Sequence, residues 1–265
     1  MTTLLTMKGF NKKADYLCFT ANTANSTVRL GRAGTPTSIV LETSTDGNTW
    51  SDYTIATRIT LSNVWDKVYF RNKSETPTWF SIGDNNYYIF QMTWSIAASW
   101  DVNYLLCKNS TDTLIWDNCF YQLFQSCSSL ISCPKLTATT LTQSCYNSMF
   151  YECTNLITAP ELPATTLTTN CYNYMFYDCT NLETLPKLPA TTLTNTCYQY
   201  MFNGCSKIKL STTQTWEYQN EYRIPETWTW TTATNALYRM FRATWWTFTW
   251  TPSINTTYYT SNQVI

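Results

Sequence analysis

Eleven cysteines and the absence of histidine define which chemistry this 265-residue chain could perform. Without an imidazole, Ser-His-Asp and Cys-His nucleophilic sites, HExxH zinc sites and histidine-containing facial triads are excluded. The six glycines form no phosphate-binding loop of the GxGxxG or GxxxxGK[ST] type. Catalysis would therefore depend on paired carboxylates, as in a glycosidase, and Glu152 and Asp178 are the candidate pair. We predict both on an exposed face that does not favour a protonated acid, so we expect no catalytic residues, no cofactor and no metal site.

The cysteines fall into two columns with a period of 26 residues. The first column contains Cys119, Cys145, Cys171 and Cys197. The second column contains Cys127, Cys153, Cys179 and Cys205. Within a unit the two cysteines would be about 12 Å apart along a helix, whereas a disulfide needs Cα atoms within roughly 7 Å. We interpret both columns as small buried side chains between repeats, with disulfides between repeats as the alternative.

Each 26-residue unit is predicted to contain one short helix and one short strand. In residues 145–153 the apolar side chains recur at i, i+1, i+4, i+5 and i+8, which favours a two-turn helix. Its outward residues would be Asn147, Ser148, Tyr151 and Glu152. The predicted helix N-caps are Asn118, Ser144, Asn170 and Thr196. Because a two-turn helix is marginal alone, the units must stack to bury their shared apolar face.

The motif C-Y-x-x-M-F-x-x-C-x-x-L, followed by P-x-L-P-A-T-T-L, covers most of residues 113–210. It resembles the BspA-like leucine-rich repeats of bacterial surface proteins and of phages of gut-type bacteria. Residues 41–50 and 66–72 are similar to the N-terminal module that accompanies such repeats. The resemblance implies a non-catalytic surface or virion protein that binds host cells, matrix or glycans.

We therefore expect an α/β fold, a leucine-rich-repeat solenoid with an N-terminal β-rich, sandwich-like module. The expected domains are residues 1–112 as module and cap, 113–210 as four repeats, and 211–265 as a hairpin insertion with a degenerate capping repeat. In the module Asp46-Gly47 predicts a type I′ hairpin turn. The strand-like runs are Val28–Leu30, Ser38–Ser44, Tyr53–Leu61, Lys67–Arg71 and Tyr87–Thr93.

Charge and hydropathy limit the partners that this chain can have. Seventeen basic and seventeen acidic side chains cancel and neither sign is clustered, so we expect no nucleic-acid partner. No window approaches the roughly 18 apolar residues that span a bilayer, and no signal peptide is seen, so we expect no membrane insertion. A location on a virion or at the cell surface, outside the cell, is the expectation.

The chain contains twelve tryptophans, an unusually high number, and only six glycines, an unusually low one. No tryptophan lies between Cys119 and Cys205. Several tryptophans occupy positions where a turn would favour glycine. These are Trp65, Trp100, Trp245, Trp246 and Trp250. One interpretation is that a UGA codon, read here as tryptophan, is read as glycine in the natural host. The other is that the indoles form an aromatic binding surface.

The candidate ligand-binding residues lie on two predicted faces of the repeats. The strand face would carry Ile131, Ser132, Ile157, Thr158, Glu183 and Thr184. The helix face would carry Tyr151, Tyr174, Tyr177 and Tyr200. We predict adhesion or host recognition, with a host-surface protein or a glycan as partner and a homo-oligomer in a virion as a further expectation. The alternatives are a purely structural virion fibre or capsid-decorating protein and, more remotely, a glycan-acting enzyme.

Overall fold

The computed structural model describes residues 15–36, 38–83, 85–109, 113–114, 116–246 and 250–265. These residues form short β-strands and turns, and the one helical element among them is a 3-10 helix at Val102–Leu105. The strands are β1 (Leu17–Ala21), β2 (Ser26–Ala33), β3 (Leu41–Ser44), β4 (Ser51–Tyr53), β5 (Ile59–Leu61), β6 (Lys67–Asn72), β7 (Tyr87–Thr93), β8 (Ile96–Ser99), β9 (Leu130–Ser132), β10 (Thr184–Leu185), β11 (Lys209–Ser211), β12 (Asn220–Ile224), β13 (Trp245–Trp246), β14 (Thr256–Thr260) and β15 (Gln263–Val264).

The N-terminal part contains two sheets that share one aromatic core. One sheet has the order β4-β3-β6-β1-β8-β9, and the other has the order β5-β2-β7. Buried and less buried side chains alternate along β6 and β7, as expected for strands with one face on a core. Phe90 of the smaller sheet packs on Phe19 and Phe70 of the larger sheet, with ring centroids 4.7 and 5.3 Å apart.

The predicted hairpin exists, but its turn is longer than predicted. Strands β3 and β4 pair Thr43 with Ser51, and of the Asp46-Gly47 pair Gly47 alone has a left-handed backbone, with φ of 72°. The Asp46 carboxylate instead organises the loop by accepting the backbone N–H groups of Asn48 and Thr49. These hydrogen bonds lower the pKa of Asp46 far below its ordinary value.

The helix predicted in each repeat is wrong, and with it the α/β leucine-rich-repeat solenoid. In the second unit Ser144, Ser148 and Glu152 have left-handed backbones, with φ of 52°, 55° and 57°. Within this segment the N–H of every second residue donates to the carbonyl three residues earlier, which closes a turn. One example is the bond from the N–H of Asn147 to the carbonyl of Ser144 (3.2 Å). Residues 144–153 are therefore overlapping β-turns whose closing bonds recur every two residues and whose left-handed residues recur every four.

The remaining amides of these turns bond to the next unit rather than within their own. The N–H of Ser148 donates to the carbonyl of Asn173 (2.9 Å), and that of Phe150 donates to Met175 (3.0 Å). Turns of this kind recur in what we call the turn segments, residues 118–127, 144–153, 170–179, 196–205 and 235–244, and each segment except the last donates to the one that follows. Stacking between units therefore supplies the hydrogen bonds that a helix would have made internally.

The side-chain pattern within the turn segments was partly predicted. The expected inward residues are all fully buried, namely Cys145, Tyr146, Met149, Phe150 and Cys153. Ser148, expected outside, is buried at 7% exposure. The predicted N-caps Asn118, Ser144, Asn170 and Thr196 are instead the first left-handed residues of their segments. The apolar pairs recur every four residues, whereas a helix repeats every 3.6 residues. Over a segment of nine residues these two periods give almost the same pattern, so the sequence could not distinguish the turns from a helix.

All eleven cysteines are free thiols, so the interpretation of buried small side chains is confirmed and the disulfide alternative is wrong. In the second column each thiol donates to the carbonyl of a phenylalanine in the preceding layer. Cys153 bonds to Phe124 and Cys179 bonds to Phe150, both at 3.0 Å. Burial raises the pKa of the Cys127 thiol to about 12.

The strands of the repeats do not continue into one closed solenoid. Strands β9, β10 and β11 lie in three different sheets, and the second unit contributes an isolated pairing of Thr158 with Ser132. Strand β15 pairs in parallel with β10, and β14 pairs with β11. Strands β14 and β15 thus lie between β10 of the third unit and β11 of the fourth and keep these two strands from pairing.

Candidate binding surface

Five tyrosines on the turn segments form what we call the tyrosine surface. Its members are Tyr151, Tyr174, Tyr177, Tyr200 and Tyr238. Because equivalent residues of successive units lie side by side, the four predicted tyrosines are brought together and Tyr238 is added by the last turn segment. All five side chains are half-buried, so each ring is packed on one side and open to solvent on another.

The rings of the tyrosine surface are in contact from unit to unit. Tyr151 stacks on Tyr177 with ring centroids 4.8 Å apart and planes 4° apart, and Tyr174 stacks on Tyr200 at 4.7 Å. Tyr174 also contacts Tyr177 at 5.4 Å, which joins the two stacks, and Tyr238 meets Tyr200 edge-on at 5.6 Å. Such pairs are each worth about 0.5–1.5 kcal/mol beyond area burial, so the rings are fixed before any ligand binds.

Charged groups border the tyrosine surface on both sides. The guanidinium of Arg239 lies 4.9 Å from the ring centroid of Tyr238. Burial, and then the charge of Glu152, raise the pKa of Tyr151, so this hydroxyl stays protonated at neutral pH and can donate a hydrogen bond. The surface therefore offers aromatic area, hydroxyl groups and mixed charge to a polar ligand.

The carboxylate pair considered for catalysis lies beside this surface. Glu152 accepts a hydrogen bond from the Ser126 hydroxyl (3.0 Å). Burial, and then the charge of Glu152, raise the pKa of Asp178, contrary to the expectation of an exposed carboxylate. In the next unit this column holds Gly204, where a Cβ atom would collide with the Asp178 carboxylate. No group of three or more cysteine, aspartate and glutamate side chains among the described residues could hold a metal.

The predicted strand face is divided between structural and open positions. Ile157, Thr158, Glu183 and Thr184 line a cavity of about 680 Å³, which also includes Lys207. Lys207 forms an ion pair with Glu183, with 2.6 Å between Nζ and Oε1. Ile131 lines a second cavity of about 340 Å³.

Two of the predicted strand-face residues serve the fold rather than a ligand. Thr184 is buried, and its hydroxyl oxygen accepts the N–H of Ala159 (2.8 Å). The Ser132 hydroxyl donates to the carbonyl of Ala98 in strand β8 (2.9 Å). The six residues therefore do not form one continuous recognition surface.

Three of the twelve tryptophans have a backbone conformation typical of glycine, and two others lie in a strand. Trp65, Trp94 and Trp100 have left-handed backbones, with φ of 72°, 64° and 65°, as expected of glycine positions. Trp94 was missed in the sequence, although Thr93-Trp94-Ser95 separates two strand-like runs. Trp245 and Trp246 lie in strand β13 rather than in a turn.

Comparison with known proteins finds no matching family model, no matching curated protein and no matching solved structure. The resemblance to BspA-like repeats therefore remains a prediction from the motif, and function is argued from geometry. In the described part of the chain, no helix has the length and apolarity that crossing a bilayer requires.

Proposed function

We propose that this chain is a non-catalytic recognition protein that binds a host-surface ligand through the tyrosine surface. The observation that carries the proposal is the contact of five half-buried tyrosine rings across successive turn segments. An aromatic surface of this kind is a common hot spot of protein and glycan recognition. A location on a virion or on a cell surface is part of the same proposal.

The physical basis is the low entropic cost of binding on fixed rings. Tyrosine has two side-chain torsions and offers both an apolar ring and a hydroxyl group. In this chain the rings already stack on one another, so little further side-chain freedom is lost when a ligand binds. The border of Glu152, Asp178 and Arg239 adds hydrogen-bonding groups of both signs, which suits a polar ligand without large net charge.

The proposal is tested with the double variant Tyr174→Asn, Tyr200→Asn. Both residues have left-handed backbones, which asparagine adopts readily, so the fold should be retained while two rings are lost. Binding to a glycan array and to intact host cells should weaken roughly 30-fold, as for a hot spot.

The matched control is Tyr218→Asn, because Tyr218 is a partly exposed tyrosine outside the turn segments. It should bind like the unchanged chain. Equal binding by the double variant and the unchanged chain would refute the tyrosine surface as the site. A chain that binds neither glycans nor cells would refute the recognition function itself.

A further inference from the structure

A second regular surface lies on the loops that return each unit to the next turn segment. The paired threonines of the A-T-T-L motif are exposed in three successive units. These residues, which we call the threonine ladder, are Thr139, Thr140, Thr165, Thr166, Thr191 and Thr192. Within the described residues none of the six hydroxyl groups makes a hydrogen bond, although threonines elsewhere in the repeats do, such as Thr142.

Backbone pairing holds the first two threonine pairs of the ladder in register. Thr140 pairs in parallel with Thr166, and the N–H groups of Thr165 and Thr166 donate to the carbonyl of Thr139 (3.1 and 3.4 Å). Backbones paired in this way are about 4.8 Å apart, so equivalent hydroxyls recur at that interval.

Each threonine pair is also anchored on both sides by buried residues. The preceding alanine and the following leucine are buried in all three units, as at Ala164 and Leu167. Threonine is stiff at its first side-chain torsion, so methyl and hydroxyl groups keep a fixed direction. The ladder is therefore a preorganised surface rather than a set of mobile side chains.

The chemistry of the ladder is uniform and uncharged. No charged residue occurs in residues 137–142, 163–168 or 189–194. Each hydroxyl can donate one hydrogen bond and accept two, and a methyl group stands beside it. Thr192 of the third pair bridges in parallel to Trp230, which is 79% exposed, so an open indole follows the last threonine pair.

We propose that the threonine ladder binds a linear, uncharged polysaccharide lying along the stack of repeats. A ligand that matches repeated hydroxyl groups must itself repeat, must carry hydroxyls, and must lack charge because the ladder offers no counter-charge. The threonine methyl groups and the indole of Trp230 face the apolar faces of sugar rings. This site does not depend on the tyrosine surface.

The test measures co-sedimentation of the full chain with crystalline cellulose, chitin and unsubstituted xylan. The triple variant Thr140→Val, Thr166→Val, Thr192→Val removes three hydroxyls and keeps the shape and the β-branch. Its affinity for the polysaccharide that the unchanged chain binds should fall at least about 10-fold, from the loss of three hydrogen bonds.

The control variant is Thr60→Val, Thr180→Val, Thr232→Val, which changes three exposed threonines outside the ladder. It should bind the polysaccharide like the unchanged chain. The proposal is overturned if the unchanged chain binds none of the three polysaccharides. It is equally overturned if the ladder variant binds as tightly as the control variant.

Discussion

Left-handed backbones are the most telling feature at the scale of single residues. For a residue other than glycine this conformation costs about 1–2 kcal/mol. In the turn segments that cost is offset by hydrogen bonds between units, as at Ser148 and Glu152. At Trp65 and Trp94 the indoles are 72% and 67% exposed, so burial of the side chain offsets little of it. Glycine would make the same backbone bonds without the strain.

The first prediction concerns these strained tryptophans. Each of Trp65→Gly, Trp94→Gly and Trp100→Gly should raise the free energy of unfolding by about 1 kcal/mol, because glycine removes the left-handed strain. Urea unfolding monitored by circular dichroism measures the change. Trp245→Gly is the control, since Trp245 is exposed but lies in a strand, where glycine brings no gain.

Failure of all three variants to gain stability would contradict the interpretation of these sites as glycine positions. The codon interpretation has its own measurement, which is mass spectrometry of peptides from the native source. Glycine at residues 65, 94 and 100 would support the codon interpretation, and tryptophan at these positions would refute it.

At the scale of elements, the turn segments show what a sequence pattern can and cannot predict. The 26-residue register and the buried residues of each segment could be predicted because both follow from repetition and hydrophobicity. The helix was wrong because nine residues do not separate a period of four from 3.6. The missed signal was asparagine at the start of three segments, Asn118, Asn170 and Asn235, since asparagine tolerates the left-handed region.

The same reasoning explains what could be predicted of the candidate site. Tyr151, Tyr174, Tyr177 and Tyr200 were found from the repeat register, which survives a change of backbone conformation. Tyr238 was missed because it lies one position before the column of Tyr174 and Tyr200, which Arg239 occupies in the last unit. On the strand face, the structural bonds of Ser132 and Thr184 could not be predicted, since their partners come from other layers.

The second prediction separates a turn from a helix by one substitution. Glu152→Gly should raise the free energy of unfolding by about 1 kcal/mol, because Glu152 has φ of 57° and its column holds Gly204 two units later. In an α-helix the same change would lower stability by a similar amount. Thermal unfolding gives the sign.

The control for this prediction is Tyr151→Gly, one position earlier, where the backbone is not left-handed. That change should destabilise the chain because it removes a stacked ring and loosens the backbone. Destabilisation by both substitutions would contradict the turn geometry.

At the scale of the whole molecule, one continuous core joins the N-terminal sheets, the turn segments and the C-terminal strands. The joining contacts are long-range, as where Asn262 bonds to residues far earlier in the chain. Its side-chain amide donates to the carbonyls of Glu183 (2.9 Å) and Lys207 (3.0 Å), and its oxygen accepts the N–H of Lys209 (2.8 Å). No local pattern could predict this arrangement, since hydrophobic periodicity reports faces and not distant partners.

The third prediction concerns the hydrogen bonds of Asn262. Asn262→Ala should lower the free energy of unfolding by about 3 kcal/mol, because it removes three hydrogen bonds that the buried Asn262 side chain makes to backbone groups. Urea unfolding measures the loss. Asn155→Ala is the matched control, since its two side-chain bonds, to the Ser128 carbonyl and from the Asn181 amide, are both exposed and should together be worth no more than about 1 kcal/mol. Equal effects of the two substitutions would contradict the role assigned to Asn262.

Asn262 bonds to both the third and the fourth unit, and these bonds limit how the array can change in length during evolution. A duplicated unit inserted before residue 170 would leave every bond of Asn262 intact. A unit inserted between Glu183 and Lys207 would carry those two carbonyls apart by a full layer, beyond the reach of one amide. Repeat units can therefore be added before residue 170 without loss of these hydrogen bonds, whereas a unit added between Glu183 and Lys207 would break one of them.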